Sequence, residues 1–171
     1  WLLDQLDPGS AAYNLPLALR VDGPVDQAAL TGALRYLLDR HESLRTIYPA
    51  INGVPHQRIL GTDEALAGAD MVLCASGADA GARDLTARIA EIAAGGFALD
   101  TRIPLRVHLI AQPDGQTVVV VVVHHIVADG WSVRLLFGDL IAGYLGAGGS
   151  ARPLPVQYAD YTLWRAELLG D

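Results

Sequence analysis

Apolar positions along this chain change period several times, and each change marks an element. Residues 17–21, LALRV, form a short β-compatible run, followed by Gly23-Pro24 with turn chemistry and by Asp26, which is placed to cap a helix. From there Ala29, Leu30, Ala33, Leu34, Leu37, Leu38 and His41 recur at helical spacing and give one apolar face. This helix is expected to end within RHESLRT, residues 40–46, with a strand over 45–49. Residues 54–60, VPHQRIL, are the expected hairpin partner across Asn52-Gly53, a dipeptide that tolerates the positive φ angles of a tight turn. The stretch 61–81 is rich in Ala, Gly and Asp and shows no clear period, apart from a short apolar run MVLCA at 71–75 that reads as a strand. A second helix is predicted over 82–94, with Leu85, Ile89 and Ile92 on one side and Gly95-Gly96 as its stop.

Two runs then lose their polar alternation. PLRVHLIA at 104–111, the turn Pro113-Asp114-Gly115 and six consecutive valines at 118–123 predict two adjacent strands. The valine strand is expected to be buried on both faces, because alternation persists only where one face meets water. After Gly130 the pattern becomes helical, with Val133, Leu135, Leu136, Leu140, Ile141 and Tyr144 as its apolar positions. LGAGGSARPLP at 145–155 reads as a linker, and 158–169 as a last helix with Tyr161, Trp164 and Leu168 turned inward. The order predicts an α/β (α+β sandwich) class: a mixed β-sheet flanked by helices. Residues 117–128 fall well short of the roughly 20 apolar residues of a membrane span, and they contain two histidines, so no membrane partner is expected.

Composition narrows the class further. A chain of 171 residues, 51% hydrophobic and 18% charged, suits one globular unit with its own core. Nineteen acidic against twelve basic side chains leave a formal charge of −7, which argues against nucleic acid as a partner. Cys74 is alone and cannot form an internal disulfide, and no secretory leader pattern opens the chain, so a cytoplasmic protein is expected. The chain opens on Trp1 and the apolar WLLDQL, as a segment cut from something longer does.

The candidate chemistry lies where the valine strand runs into His124 and His125. Neighbouring strand side chains point to opposite faces, so the two rings diverge. They make a poor metal pair, and with no Cys or other histidine close in sequence no metal is expected. One imidazole is expected in the core, held by backbone groups. The other should face a cavity, where a group with a pKa near ~6.5 can accept or donate a proton. Asp129 is expected to be a buried carboxylate that needs a cation, with Arg40 and Arg45 as candidates and Arg40 preferred. Gly130 is expected to allow close ligand approach or a backbone conformation closed to other residues, leaving amides at the helix start free to face negative charge. The structural alternative makes both histidines core-edge residues and 129–132 a turn with a helix cap.

HHIVADGWS, residues 124–132, resembles the active-site motif of the condensation domains of nonribosomal peptide synthetases, relatives of chloramphenicol acetyltransferase. WLLDQLDPGSAAYNLPLAL at 1–19 resembles the end of that family's N-terminal motif and its first strand. RHESLRTIY at 40–48 resembles its Arg-His-Glu-x-Leu-Arg-Thr motif, and YADYTLWR at 158–165 its Tyr-x-Asp-Tyr-or-Phe-x-x-Trp motif, all in family order. The resemblance implies a chloramphenicol acetyltransferase-like lobe and amide-bond formation between two carrier-tethered substrates. A donor aminoacyl or peptidyl thioester is attacked by the α-amino group of an acceptor aminoacyl thioester. Carried over by position, His125 orients or deprotonates the amine and His124 is its buried partner. Asp129 becomes the structural carboxylate, and the amide of Gly130 a stabiliser of the oxyanion. The resemblance implies no bound cofactor; phosphopantetheine arrives on donor and acceptor peptidyl carrier proteins.

His124 and His125 set the chain apart from heterocyclising relatives, which have aspartates there, and Trp131 sets it apart from epimerising ones. Tyr13-Asn14 and residues 40–46 resemble domains joining an L-configured donor to an L-configured acceptor. Family members are more than twice this length and have two lobes. Residues 1–171 are therefore expected to be the N-terminal lobe, working with a C-terminal lobe and neighbouring synthetase domains and weakly active or inactive alone. A free-standing acyltransferase using coenzyme A thioesters and a docking lobe without catalysis are the two other functions weighed.

Overall fold

The computed structural model describes residues 1–72, 85–148 and 153–170. Its elements are α1 (Leu2–Leu6), β1 (Asn14–Val21), α2 (Gln27–Arg40), β2 (Thr46–Ile47), β3 (Ala50–Ile51), β4 (Val54–Pro55), β5 (Arg58–Ile59) and α3 (Thr62–Gly68). They continue with β6 (Asp70–Val72), α4 (Leu85–Ala94), β7 (Leu105–Ala111), β8 (Thr117–His124), α5 (Ser132–Tyr144) and α6 (Tyr158–Leu169). A 3-10 turn over Glu42–Arg45 follows α2.

Four strands form the main sheet in the order β1-β8-β7-β6. The valine strand β8 pairs antiparallel with β1 and with β7, while β6 runs parallel to β7, so the sheet is mixed as the alternation of elements predicted. All eight residues of β8 are buried, and the reason lies in its two faces. Val119, Val121 and Val123 join Leu105, Val107 and Leu109 against the apolar sides of α2 and α5. Val118, Val120 and Val122 turn the other way, into a second cluster with Phe97, Leu99 and the partly buried Leu85, Ile89 and Ile92 on the α4 side. Each valine thus feeds one core or the other, which is why no polar position interrupts the run.

Local signals account for most boundaries. The Asp26 carboxylate accepts from the amides of Ala28 and Ala29 and starts α2 as expected. The predicted hairpin forms as two short antiparallel ladders, β2 with β5 and β3 with β4, around Asn52 and Gly53 at φ of 53° and 81°. Arg45 belongs to the 3-10 turn rather than to the strand, which begins at Thr46. The short strand expected at 71–75 is β6, one residue earlier at its start; residues 73–84 and 149–152 lie outside the described residues, and with them the start of the helix expected at 82–94 and part of the 145–155 linker.

Other expectations fail on burial. The helix α6 has the predicted limits, but Tyr161, Trp164 and Leu168 are exposed rather than inward, because no layer of the described residues covers that side. On α5, Leu135 and Ile141 also face solvent, while Val133, Leu136 and Leu140 carry the packing. Gly95-Gly96 does end α4, but neither glycine has positive φ. A Cβ on Gly95 would stand 2.9 Å from Arg106 Nη1, and one on Gly96 would stand 2.4 Å from the backbone of Gly9. Close approach therefore explains both glycines.

Arg106, on β7, is the polar centre of that region and is 7% exposed. Its Nε donates to Asp70 Oδ2 at 2.5 Å, its Nη1 to the carbonyls of Ile92 and Gly95 at 2.8 and 2.9 Å, and its Nη2 to that of Gly96 at 3.0 Å. The guanidinium carbon lies 4.7 Å from the centre of the Phe97 ring. Asn14 Nδ2 adds donors to the carbonyls of Ala93 and Gly95, both at 2.7 Å. The end of α4 and residues 95–97 are thereby fixed against the sheet beside His124.

Candidate active site

The sheet delivers the two histidines to the end of its central strand β8 in different states. Strand β8 stops at His124, whose backbone N–H donates to the Pro104 carbonyl at 3.1 Å, and the next N–H, of His125, donates to the Tyr13 carbonyl at 2.7 Å. The chain then turns, with Val127 N–H bonded back to the carbonyl of His124 at 3.1 Å. His124 is 4% exposed, and its ring sits between those of Tyr13 and Phe97, each 6.0 Å away, Phe97 meeting it edge-on at 86°. Its Nδ1 accepts the Ile126 N–H at 3.0 Å, which places the proton of the neutral ring on Nε2. Burial lowers its pKa below the usual histidine value; the charge of Asp4 opposes that shift, and His125 adds to it. His124 is a neutral core residue held by backbone, as one of the two was expected to be.

His125 is exposed and stands between two clefts. One, of about 270 Å³, is walled by Trp1, Leu3, Asp4 and Tyr13 and reaches both histidines. The other, of about 520 Å³, is walled by Ser43, Ala128, Asp129, Trp131 and Tyr158. Of the two imidazoles only that of His125 lines both clefts, so it can meet groups arriving from either side. Chemically it can orient a nucleophile in one cleft toward an electrophile in the other and take its proton.

The expected brace at Asp129 is not formed. Asp129 is exposed, and its Oδ1 accepts from Trp131 N–H at 3.1 Å, Ser132 N–H at 2.8 Å and Ser132 Oγ at 2.8 Å. The backbone N–H and then the hydroxyl of Ser132 hold this carboxyl below the usual carboxylate range. The donors at the start of α5 satisfy it locally, so it draws in no arginine. Arg40 instead pairs through Nε with Asp139 of α5 at 2.9 Å, and His41 Nε2 reaches the same carboxylate oxygen at 2.6 Å. Arg45 donates to the carbonyls of Leu38 and Leu60 and to Glu42 Oε1 at 3.1 Å. Both arginines hold the α2 end against its neighbours, and among the described residues Asp129 pairs with neither of them.

At Gly130 the expected special backbone conformation is absent, while the space for a ligand's close approach is open. Its φ is not positive, and an added Cβ would meet nothing within 4 Å, so neither backbone conformation nor crowding requires glycine here. The amides of Trp131 and Ser132, expected to be free, are occupied by Asp129. The Gly130 N–H itself has no hydrogen-bond partner among the described residues. Among those residues no group of three or more His, Cys, Asp or Glu side chains could hold a metal ion, and no helix is long and apolar enough to cross a membrane. Residue spacing does not single out Asp4, Phe97 or Arg106. Of these, Asp4 carried a visible signal: a lone acid within the apolar WLLDQL.

The family model described as the condensation domain matches residues 1–171. The isonitrile lipopeptide synthase of Mycobacterium tuberculosis is 46% identical over 176 residues, covering 100% of this chain and 7% of that protein. The dimodular nonribosomal peptide synthase of Bacillus subtilis is 39% identical over 175 residues, again covering 100% of this chain and 7% of the relative. The crystal structure of the X-domain from teicoplanin biosynthesis superposes with a TM-score of 0.81 at 36% identity, over 99% of this chain and 36% of that one. The chain thus spans a small fraction of those synthetases and about a third of that solved chain. Its mixed sheet flanked by helices matches that solved structure, and the chain belongs to the condensation-domain family.

Proposed function

We propose that residues 1–171 form the N-terminal lobe of a two-lobed condensation domain and supply the histidine that promotes amide formation in nonribosomal peptide synthesis. The observation that carries this reading is the position of His125, exposed between two clefts beside a buried, neutral His124. In the reaction a donor aminoacyl or peptidyl thioester meets the amine of an acceptor aminoacyl thioester. Both substrates arrive on the phosphopantetheine arms of carrier proteins. His125 orients the amine and takes its proton as the nitrogen attacks the thioester carbon. The oxyanion that forms is met by the free N–H of Gly130, and the proton passes to the departing thiolate. His124 contributes by fixing the turn: its ring accepts the Ile126 N–H and so sets where His125 emerges.

The C-terminal lobe closes both clefts, and neighbouring synthetase domains bring the carriers. Tyr13-Asn14 and residues 40–46 support an L-configured donor and an L-configured acceptor. The test is product formation by the two-lobed domain with two loaded carriers. His125→Ala is expected to reduce amide formation at least a hundredfold with an unchanged melting temperature. His125→Asn keeps a hydrogen-bonding group but cannot carry the proton, and should be as inactive. Peptide formed by His125→Ala at the parent rate would remove the catalytic assignment and favour a docking role. Turnover of small coenzyme A thioesters without carriers would favour a free-standing acyltransferase.

A further inference from the structure

Asp4 is an acid in the first turn of α1, and it is only 8% exposed. It lines the 270 Å³ cleft that ends at His124 and His125. A carboxylate withdrawn from water is normally matched by a cation or by several donors. This fold follows that rule elsewhere: buried Arg106 has Asp70 and three carbonyls, and Asp139 has Arg40 and His41. Asp4 does not. Among the described residues its side chain has one hydrogen bond, from the neighbouring Gln5 amide at a long 3.3 Å. It caps no backbone N–H of α1 and forms no ion pair within 4.0 Å among those residues. Its free lone pairs therefore remain for a group that enters the cleft.

We infer that Asp4 is a positioning residue that holds the cationic amino group of the acceptor in this cleft, next to His125. The inference rests on the condensation reading of the site and adds the residue that selects an amine. An α-amino group is largely protonated near neutral pH. Asp4, 8% exposed in the wall of the cleft, attracts that ammonium at short range. Of the two protons the nitrogen loses, one leaves to solvent and the other passes through His125 to the thiolate. The nitrogen lone pair forms the C–N bond as the C–S bond breaks. While the nitrogen carries positive charge in the tetrahedral intermediate, Asp4 offsets it.

The experiment uses the two-lobed domain with an aminoacyl acceptor that the parent condenses and the matched α-hydroxyacyl acceptor, with His125→Ala as control. Asp4→Asn is expected to lower kcat/KM for the amine at least tenfold, chiefly through KM, and to change the hydroxyl reaction less than threefold. Asp4→Glu should recover most of the preference for amine. Equal losses on both acceptors, or no loss on either, overturn the inference. If His125→Ala leaves amide formation intact, the condensation reading fails first, whatever Asp4 does. Should Asp4→Asn not fold, binding to the unaltered domain decides: an unreactive aminoacyl pantetheine amide should bind at least tenfold more tightly than its N-acetyl form. Equal binding of the two overturns the inference.

Discussion

Asp4 and Asp129 stand on either side of His125, in the two clefts that it separates, and the fold treats their carboxylates in opposite ways. Asp129 lies in solvent, yet its Oδ1 takes three donors from its own turn. Asp4 is withdrawn from solvent and takes a single donor, the neutral amide next to it. A carboxylate anchored through one oxygen by its own loop shapes that loop, and in solvent its other oxygen keeps water for a partner. One left short of partners in a cleft retains its field and its lone pairs, and a cation entering there gains from both. The difference assigns Asp129 to geometry and Asp4 to recognition.

This contrast depends on a stiff partition between the clefts, and the largest expected effect comes from loosening it. Phe97 presses edge-on against His124, and Arg106 holds residues 95–97 in place. Arg106→Leu would strand the carbonyls of Ile92, Gly95 and Gly96 and leave the partly exposed Asp70 only its 3.3 Å contact with His108 Nε2. A loss of about 3 kcal/mol is expected, read as a lower urea midpoint. Arg106→Lys restores charge but not the fork that reaches Asp70 and three carbonyls at once, so it should recover less than half of the loss. An unchanged midpoint in both variants would show that the partition does not depend on this clamp.

A smaller effect concerns pH. Burial lowers the His124 pKa in the folded chain, so between that value and the ordinary ~6.5 the unfolded chain binds more protons than the folded one. Stability from this residue is therefore complete above about pH 6.5 and declines as pH falls toward the lowered value. The geometry agrees, since protonated Nδ1 would aim a hydrogen at the Ile126 N–H it now accepts. Melting temperature should fall from pH 7 to pH 5.5, and His124→Asn, which retains an acceptor near Nδ1, should flatten that slope even if it lowers the overall value. An equally steep slope in the variant would assign the loss to other groups.

What could be read from the chain follows the same physical division. Elements that carry their own signal were legible: β8 by its unbroken valines, α2 by a capped apolar stripe, and the hairpin by Asn52-Gly53. The five-residue α1 and seven-residue α3 were not. Leu2, Leu3 and Leu6 of α1 are exposed, and α3 buries only Ala65, so neither leaves a stripe to detect. Tyr161, Trp164 and Leu168 misled in the opposite sense, because helical spacing marks an apolar face without showing what covers it. At the site, alternation separated the histidines correctly. It could not weigh the donors within three residues of Asp129 against two arginines more than eighty positions away, and the nearer donors won.

That local satisfaction makes the smallest effect the most discriminating. Asn at position 129 keeps an oxygen where Oδ1 stands, and Asn caps helices about as well as Asp. Asp129→Asn should therefore melt close to the parent, whereas Asp129→Ala, which leaves the amides of Trp131 and Ser132 without their acceptor, should melt slightly lower. Because the carboxylate is exposed, its lost charge alone has little effect at neutral pH. A buried pair with Arg40 predicts the reverse: Asp129→Asn would then destabilise strongly, and Arg40→Ala would match it. If the two-lobed domain shows that reverse pattern, closure by the second lobe has moved Asp129 out of solvent, and both acids then sit withdrawn from water on either side of His125.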